Sequence, residues 1–447
     1  MEVFEIEGGS RLEGRLRING SKNAALPLMA AALLTDRPVN LRDVPDLADI
    51  RNMARLLSEL GCEVDANFES NPDDGQRSVT IHPTDETHSH ARYDVVRTMR
   101  ASVCVLGPLL ARRGAARVSM PGGCAIGDRP VDLHLRGLEA LGARVTLDSG
   151  DICVSIPSFE SGGRLRGATV FLGGSFGSTV LGTANVLSAA TLAEGTTVIE
   201  SAACEPEIVD LAKLLTAMGA RIEGAGSPRL VVHGVESLTG ADHTVIPDRI
   251  EAATLMGAAA ITNGALTLEN CPVDAMLAVT EHLRQSGVDI EVGPHEKDLL
   301  RATCRVSSGR RLAPVVATTQ PHPGFPTDAQ AQLMALVSLA DGNSVITEKI
   351  FPERFLHVPE LARMGARLHR QGSTVVVSGV RELTGAPVMA SDLRASAGLV
   401  LAGMAAKGTT TINRVYHLDR GYECLEQRLE RVGARIRRVR AEDTVAA

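Results

Sequence analysis

The chain has 447 residues and a formal net charge of −7, and 44% of its residues are hydrophobic against 22% charged. These values are typical of a globular protein, and the length predicts two domains. The negative charge and the scarcity of aromatic residues, at 2% with no Trp, argue against nucleic-acid binding, which uses basic surfaces and stacked aromatic rings. The sequence contains neither a recognisable export signal nor a membrane-spanning apolar run, so we expect a cytoplasmic protein that does not bind membranes.

The cysteine pattern bears on metals and redox state. The eight cysteines are scattered and form no CxxC pair, which predicts reduced thiols and neither disulfides nor a zinc site. The sequence has no HExxH motif or cluster of His and Cys, so we expect no metal. It also has no GxxxxGK[ST] loop, which argues against P-loop nucleotide hydrolysis.

A short signature recurs six times along the chain: the apolar end of a helix, a glycine, and then a strand. The copies are separated by about 70 to 80 residues. Each glycine comes directly after a predicted helix, which indicates a left-handed backbone at that residue. The six copies are LSELGCEV at Gly61, LEALGARV at Gly142, LTAMGARI at Gly219, LRQSGVDI at Gly287, LARMGARL at Gly365 and LERVGARI at Gly433.

Most copies are preceded by a helix of small apolar residues, a turn and a strand, as in NAALPLMAAALLTDRPVNL and IEAATLMGAAAITNGALTL. Helices that are apolar on most faces are predicted to be buried. The pattern favours an α/β protein of six related units, three per domain. We expect the strand VFEIEG near the N-terminus to belong with the C-terminal units. A six-unit solenoid is the alternative, but its units would be unusually long.

Three predicted helices begin with cations, near Lys22, Arg100 and Arg394. A helix N-terminus carries free N–H groups and partial positive charge, so cations are unfavourable there unless an anion completes the site. Two interpretations remain open at this point. The cations could form an anion-binding site, or they could extend from the surface into water.

A glycine-rich loop over residues 119–130 contains Cys124, and Arg129 follows five residues later. The glycines would let the loop move as a lid, and a nearby guanidinium favours a reactive thiolate. The alternative is that Cys124 is a small core residue, which is how we interpret Cys104 in VCVLGPLL.

Two later motifs also contain candidate residues. The proline-rich turn PHPGFPTD leads to Asp328 at a predicted helix start, where it is either a catalytic base or only an N-cap. The same capping alternative applies to Asp248. In YHLDRGY, Arg420 either faces a ligand from an open turn or pairs with its neighbour Asp419.

Together these motifs resemble the UDP-N-acetylglucosamine 1-carboxyvinyltransferase family. The resemblance extends from about residue 2 to about residue 438. It implies a two-domain inside-out α/β barrel of six βαβαββ-type repeats, with domains 22–246 and 1–21 plus 247–447 and the active site in the cleft between them. The motifs that carry it are NGSKNAALP, RTMRAS, PGGCAIGDRPVDLH, EPEIVDLA, PDRIEA, PHPGFPTDAQAQ, ERFLHVPELARMGA, DLRASAG and HLDRGYE.

The resemblance implies a transferase that moves the enolpyruvyl group of phosphoenolpyruvate to the 3-hydroxyl of UDP-N-acetylglucosamine and releases phosphate. This is the first committed step of peptidoglycan precursor synthesis. No cofactor is implied, and we expect a monomer or weak homo-oligomer. The sister family, which makes 5-enolpyruvylshikimate 3-phosphate, lacks the cysteine loop. A binding protein without turnover is the other alternative, although the full set of charged residues is present.

The resemblance also implies roles for single residues. Cys124 matches the reactive lid cysteine, as covalent adduct or proton donor, and Asp328 matches the proposed base for the sugar hydroxyl. The cations implied to surround phosphoenolpyruvate are Lys22, Arg129, Arg420 and Arg100. The residues implied to contact the sugar nucleotide are Asn23, Arg129, Pro130, Val131, Asp132, Leu133, Ser175, Phe176, Gly177 and Ile350. Further family motifs contain Asp392 and two expected substrate-binding arginines, Arg354 and Arg394.

Overall fold

The computed structural model describes residues 2–69, 74–120, 131–157, 159–293, 298–309 and 311–440. The chain divides into two compact units. Among the described residues, the middle unit runs from Gly20 to Ile246, and the terminal unit combines the residues up to Asn19 with those from Pro247 onward. The division lies two residues before the expected domain start at 22.

Six four-stranded sheets are formed by the described residues, three in each unit, and all six share one pairing pattern. An edge strand lies parallel to its neighbour, and the next two pairings are antiparallel. The repeated sheet confirms the predicted α/β fold of six related units.

The strands follow in pairing order. In the middle unit, the first sheet consists of Ala241–Thr244, Val39–Arg42, Ser78–Pro83 and Cys62–Asn67, and the second of His90–Ala91, Ala115–Ser119, Asp151–Ser155 and Arg144–Asp148. The third consists of Thr169–Phe171, Thr196–Glu200, Arg229–His233 and Arg221–Glu223. A small hairpin is formed by Gly173–Gly174 and Gly177–Ser178. In the terminal unit, the first sheet consists of Glu13–Arg17, Ala265–Cys271, Ala302–Ser307 and Asp289–Val292, and the second of Val316–Thr318, Asn343–Thr347, Thr374–Ser378 and Arg367–Gln371. The third consists of Pro387–Met389, Thr409–Asn413, Glu2–Glu7 and Arg435–Arg440.

The α-helices of the middle unit are Lys22–Ala31, Ala48–Glu59, Tyr93–Val96, Leu106–Arg113, Asp132–Ala140, Val180–Thr191 and Pro206–Ala217. Those of the terminal unit are Arg249–Ile261, Leu277–Gln285, Gln330–Val337, His357–Arg363, Leu393–Ala405 and Leu425–Arg431. Short 3₁₀ helices span Ala32–Leu34, Arg100–Val105, Phe159–Ser161, Val273–Met276, Thr327–Ala329 and Val415–Arg420. Within the described ranges, none of the helices is both long and apolar enough to cross a bilayer.

The six repeat glycines all adopt a left-handed backbone, with φ between 83° and 108°. This conformation is strained for a residue with a Cβ atom, and it ends each helix in a turn that leads to the next strand. The sequence prediction for these positions is therefore confirmed.

Three almost completely buried helices pack against one another in the core of the terminal unit: Arg249–Ile261, Gln330–Val337 and Leu393–Ala405. Their small residues permit the close approach, since a Cβ atom on Gly398 would lie 2.7 Å from the Ala331 carbonyl oxygen. The first turns of these helices carry the polar residues described below.

The N-terminal strand Glu2–Glu7 lies between two strands from the other end of the chain, Thr409–Asn413 and Arg435–Arg440, and is antiparallel to both. Its Val3, Phe4 and Ile6 are buried. As predicted, this strand belongs with the C-terminal repeats.

Candidate active site

A polar cluster lies beside the starts of two buried helices of the terminal unit, Gln330–Val337 and Leu393–Ala405. We call it the Asp328 cluster, and its members are Asp328, Arg354, Asp392, Arg394 and Tyr422. Asp392 caps its helix, since its Oδ1 accepts from the backbone N–H groups of Arg394 at 2.9 Å and Ala395 at 3.2 Å.

Asp248 caps the neighbouring helix Arg249–Ile261. Its Oδ1 accepts from the N–H groups of Ile250 at 2.8 Å and Glu251 at 3.0 Å. Capping, the simpler of the two interpretations, is therefore correct for Asp248.

Asp328 lies in the 3₁₀ turn Thr327–Ala329, directly before the helix Gln330–Val337. Its Oδ1 accepts from Arg354 Nη1 at 2.7 Å, and its Oδ2 is 3.6 Å from Arg394 Nη2. The carboxylate remains 27% exposed, while the two arginine side chains are 7% and 3% exposed. The arrangement fixes Asp328 between two buried cations and leaves part of it accessible.

Arg394 is held on its other side by an aromatic ring. Its Nη1 donates to the Tyr422 hydroxyl at 3.2 Å, and its guanidinium carbon lies 5.5 Å from the ring centroid. Burial opposes the charge, but Tyr422, Asp328 and Asp248 outweigh burial, so the pKa of Arg394 is raised. The surface-cation interpretation is wrong for this arginine.

Glu348 organises the loops beside the cluster, although sequence reasoning missed it. Its side chain is fully buried, and four groups donate to it. Oε1 accepts from the Thr319 hydroxyl at 2.7 Å, the Ile350 N–H at 2.8 Å and the Phe351 N–H at 2.9 Å, and Oε2 accepts from the Thr327 hydroxyl at 2.8 Å. The signal in the sequence that could have identified Glu348 is its position as a single carboxylate directly after the strand Asn343–Thr347.

Glu348 therefore connects two predicted site residues. It fixes the backbone at Ile350, and through Thr327 it fixes the turn that carries Asp328. Arg354 Nη1 also donates to the Thr327 hydroxyl, at 3.1 Å.

Arg420 ends the 3₁₀ turn Val415–Arg420 and is half-buried. A Cβ atom on the next residue, Gly421, would lie 2.5 Å from the side chain of Leu393, the first residue of its helix. The turn that carries Arg420 thus packs against the helix start that carries Arg394. The neighbouring Asp419 pairs with Arg438, at 2.5 Å, which is a partner that the sequence did not indicate.

Lys22 is the first residue of a buried helix in the middle unit. The Ser21 hydroxyl caps that helix by accepting from the Ala24 N–H at 3.3 Å. Lys22 Nζ donates to Asp49 Oδ2 at 2.9 Å, and the two residues are 7% and 3% exposed. The surface-cation interpretation is therefore wrong for Lys22 too, and Asp49 was missed because it lies on another helix. Asn23 follows and is half-buried.

Arg100 requires a correction to the predicted helix start. It begins a 3₁₀ turn, Arg100–Val105, and the α-helix starts only at Leu106. Burial, and to a smaller extent the charge of Arg100, lower the pKa of His134 to about 3. Arg100 is therefore close to a neutral, buried imidazole.

Two predicted sugar-nucleotide segments come together in the middle unit. Val131 is buried, and the helix starts with an exposed Asp132 and a half-buried Leu133. A Cβ atom on Gly174 would lie 3.1 Å from the Leu133 side chain, so the small hairpin packs against this helix start.

The hairpin tip is formed by Ser175 and Phe176 and ends at Gly177, whose φ is 103°. All three residues are exposed, and Phe176 is 62% exposed. Cys124, Arg129 and Pro130, in contrast, lie outside the described residues.

Known proteins resemble this chain over nearly its whole length. The model of the family described as EPSP synthase (3-phosphoshikimate 1-carboxyvinyltransferase) matches residues 6–429. A UDP-N-acetylglucosamine 1-carboxyvinyltransferase of Methylacidiphilum infernorum (isolate V4) is 50% identical over 98% of this chain and 99% of its own. One of Anaeromyxobacter sp. (strain Fw109-5) is 52% identical over 99% and 100%.

Solved structures agree in fold. The enolpyruvyl transferase NikO from Streptomyces tendae superposes with a TM-score of 0.86 at 26% identity, over 98% of this chain and 99% of that chain. EPSP synthase from Acinetobacter baumannii gives a TM-score of 0.74 at 18% identity, over 98% and 100%, and this likeness concerns the fold alone.

Proposed function

We propose, from the premise that this chain belongs to the EPSP synthase family and to the UDP-N-acetylglucosamine 1-carboxyvinyltransferases within it, that it is a transferase acting on phosphoenolpyruvate and UDP-N-acetylglucosamine. It moves the enolpyruvyl group to the sugar 3-hydroxyl and releases phosphate. This is the first committed step of peptidoglycan precursor synthesis. The cytoplasm, where we expected the protein, is the location that this proposal implies.

The observation that carries the chemistry is the position of Asp328 between Arg354 and Arg394. A partly exposed carboxylate in this setting suits a general base that accepts the proton of the sugar 3-hydroxyl. The hydroxyl oxygen then bonds to C2 of phosphoenolpyruvate while the methylene carbon gains a proton. Loss of phosphate from C2 and of a proton from the methyl group forms the enolpyruvyl ether.

Cations of both units suit the phosphate and carboxylate of phosphoenolpyruvate, and we assign Lys22, Arg100 and Arg420 to them. Lys22 is paired with Asp49, so an arriving anion competes with that carboxylate or shares the ammonium with it. That the two units serve one reaction is part of the proposal. The roles of Cys124 and Arg129, and that of Pro130 in sugar-nucleotide contact, depend on the resemblance alone.

We assign contact with the sugar nucleotide to two groups of residues. The first comprises Asn23 and the helix start Val131–Leu133 with the adjacent hairpin tip Ser175–Gly177. The second is Ile350, whose backbone is fixed by Glu348. The exposed Phe176 ring offers an apolar surface to a ligand.

Transfer to shikimate 3-phosphate is the second candidate, since the matching family model carries the name of that reaction. The curated relatives at 50% and 52% identity favour the sugar nucleotide instead. A protein that binds these ligands without turnover is the remaining alternative.

Phosphate release from phosphoenolpyruvate tests the proposal. It should require UDP-N-acetylglucosamine and should not occur with shikimate 3-phosphate. Asp328→Asn should lower kcat by about 100-fold or more, because the base is lost while the size is kept. Cys124→Ser should also lower phosphate release.

Asp46→Asn is the matched control, since Asp46 is a partly exposed carboxylate that also pairs with an arginine, Arg51, at 2.6 Å. It should turn over like the wild type. Full activity of Asp328→Asn would remove Asp328 from the scheme, and release only with shikimate 3-phosphate would establish the second candidate.

A further inference from the structure

We propose that Tyr422 is a positioning residue whose hydroxyl group holds the Arg394 guanidinium in place within the Asp328 cluster, in an orientation set by Thr254 and Gln332. The inference deepens the proposed function and rests on it, because Arg394 lies beside Asp328, the proposed general base, and the resemblance implies that it binds substrate. Tyr422 itself is too deeply buried to be assigned a substrate contact, with 2% exposure.

The hydroxyl of Tyr422 connects the three buried helices of the terminal unit. Thr254 lies on Arg249–Ile261, Gln332 on Gln330–Val337 and Arg394 on Leu393–Ala405. Each of the three side chains is within 3.3 Å of the Tyr422 oxygen. One oxygen atom therefore sets the relative positions of polar groups on all three helices.

The donors and acceptors in this network follow from counting hydrogens. Thr254 Oγ1 donates its single proton to the Ile250 carbonyl oxygen at 2.9 Å, which can only accept. The contact of 2.8 Å between Thr254 Oγ1 and the Tyr422 oxygen must then use the tyrosine proton. Thr254 also accepts from Gln332 Nε2 at 3.0 Å.

With its own proton directed at Thr254, the Tyr422 oxygen presents its lone pairs to donors. These are Arg394 Nη1 at 3.2 Å and Gln332 Nε2 at 3.3 Å. Arg394 is 2% exposed, so water cannot readily replace a lost acceptor. The tyrosine hydroxyl is thus an oriented acceptor for a buried cation whose other terminal nitrogen faces Asp328.

Tyr422→Phe removes the oxygen and retains the ring beneath the guanidinium. We expect kcat/KM for phosphoenolpyruvate to fall by about 10-fold or more, because a hydrogen bond to a charged group is lost. Thr254→Val, which has nearly the same size, removes the acceptor of the tyrosine proton and should lower kcat/KM in the same direction. Tyr416→Phe is the matched control, since Tyr416 is 51% exposed, and it should behave like the wild type.

A double-mutant cycle separates positioning from a general structural role. In the background of Arg394→Lys, Tyr422→Phe should reduce kcat/KM by less than about 2-fold, because the group it positions is already changed. An equal reduction in both backgrounds would overturn the inference. So would wild-type activity of Tyr422→Phe or of Thr254→Val.

A crystal structure of Tyr422→Phe provides a measurement that does not depend on turnover. The Arg394 guanidinium should move away from its position beside Asp328, and an unchanged position would overturn the inference. A wild-type protein that releases no phosphate would contradict the proposed function alone, and the crystal structure would still decide the role of Tyr422.

Discussion

The buried imidazole of His134 leads to a quantitative prediction about acid. His134 is 3% exposed, and its Nδ1 lies 2.9 Å from Asn185 Nδ2. The Asn185 amide is oriented, since its Oδ1 accepts from the Gly107 N–H at 2.7 Å and its Nδ2 donates to the Val103 carbonyl at 2.9 Å. His134 Nδ1 must therefore accept, which a neutral imidazole can do and a protonated one cannot.

The magnitude follows from the pKa of His134, which burial and then Arg100 lower from 6.5 to about 3. Between these values the unfolded chain binds a proton that the folded protein does not. The contribution to stability is fully present above pH 6.5 and is lost as the pH falls toward 3. Between pH 7 and pH 5 the free energy of unfolding should fall by about 2 kcal/mol through this residue.

His134→Asn is the test, because its amide oxygen can replace the Nδ1 acceptor and does not titrate. Urea unfolding is best followed by far-UV circular dichroism, since the chain has no Trp. The smaller side chain destabilises the protein at both pH values, so only the change between pH 7 and pH 5 is compared. That change should be about 2 kcal/mol smaller in the variant.

An exposed histidine provides the control for this comparison. His369→Asn should show the same loss between pH 7 and pH 5 as the wild type, because His369 is an exposed strand residue. If the wild type and His134→Asn lose the same free energy over this range, the reasoning about His134 is refuted.

Two further predictions concern buried charges. Asp49→Ala should lower the free energy of unfolding, measured by urea unfolding, by about 3–5 kcal/mol, because it leaves the Lys22 ammonium buried without this partner. The double variant with Lys22→Met should recover part of this loss. No recovery in the double variant would contradict a charge effect. Glu348→Leu should lower the free energy of unfolding by about 3 kcal/mol or more and reduce phosphate release, because one buried and three part-buried donors lose their acceptor. Glu348→Gln keeps some acceptors and should lose less, and equal losses in the two variants would contradict the hydrogen-bond account.

Local features of the fold were predictable from the sequence. The repeat glycines have positive φ because a helix that turns directly into a strand requires a left-handed residue there. Ser21 caps its helix, and Asp392 caps another, because both are short polar residues before an apolar run. These signals are contained within a few consecutive residues.

The partners of the site residues were not predictable in this way. Lys22 pairs with Asp49 across 27 positions, and Thr254 contacts Tyr422 across 168. Neither pairing leaves a trace in composition or periodicity. The resemblance identified Asp328 and Arg394 by their motifs. The buried groups that hold these two residues are distant from them in sequence and lie beside them only in the folded protein.

The position of the strand Glu2–Glu7 has a consequence for how the protein is made. This strand is synthesised well before its partners, since Glu7 pairs with Arg435, 428 positions later. At ordinary rates of translation, about 20 to 90 seconds separate the synthesis of the two partners. The described part of the middle unit lies within residues 20–246 and can fold during this interval, whereas the strand Glu2–Glu7, with its apolar Val3, Phe4 and Ile6, waits without its neighbours. Nascent-chain binding to chaperones should therefore concentrate on the strand Glu2–Glu7 and persist until its neighbour Arg435–Arg440 has been synthesised.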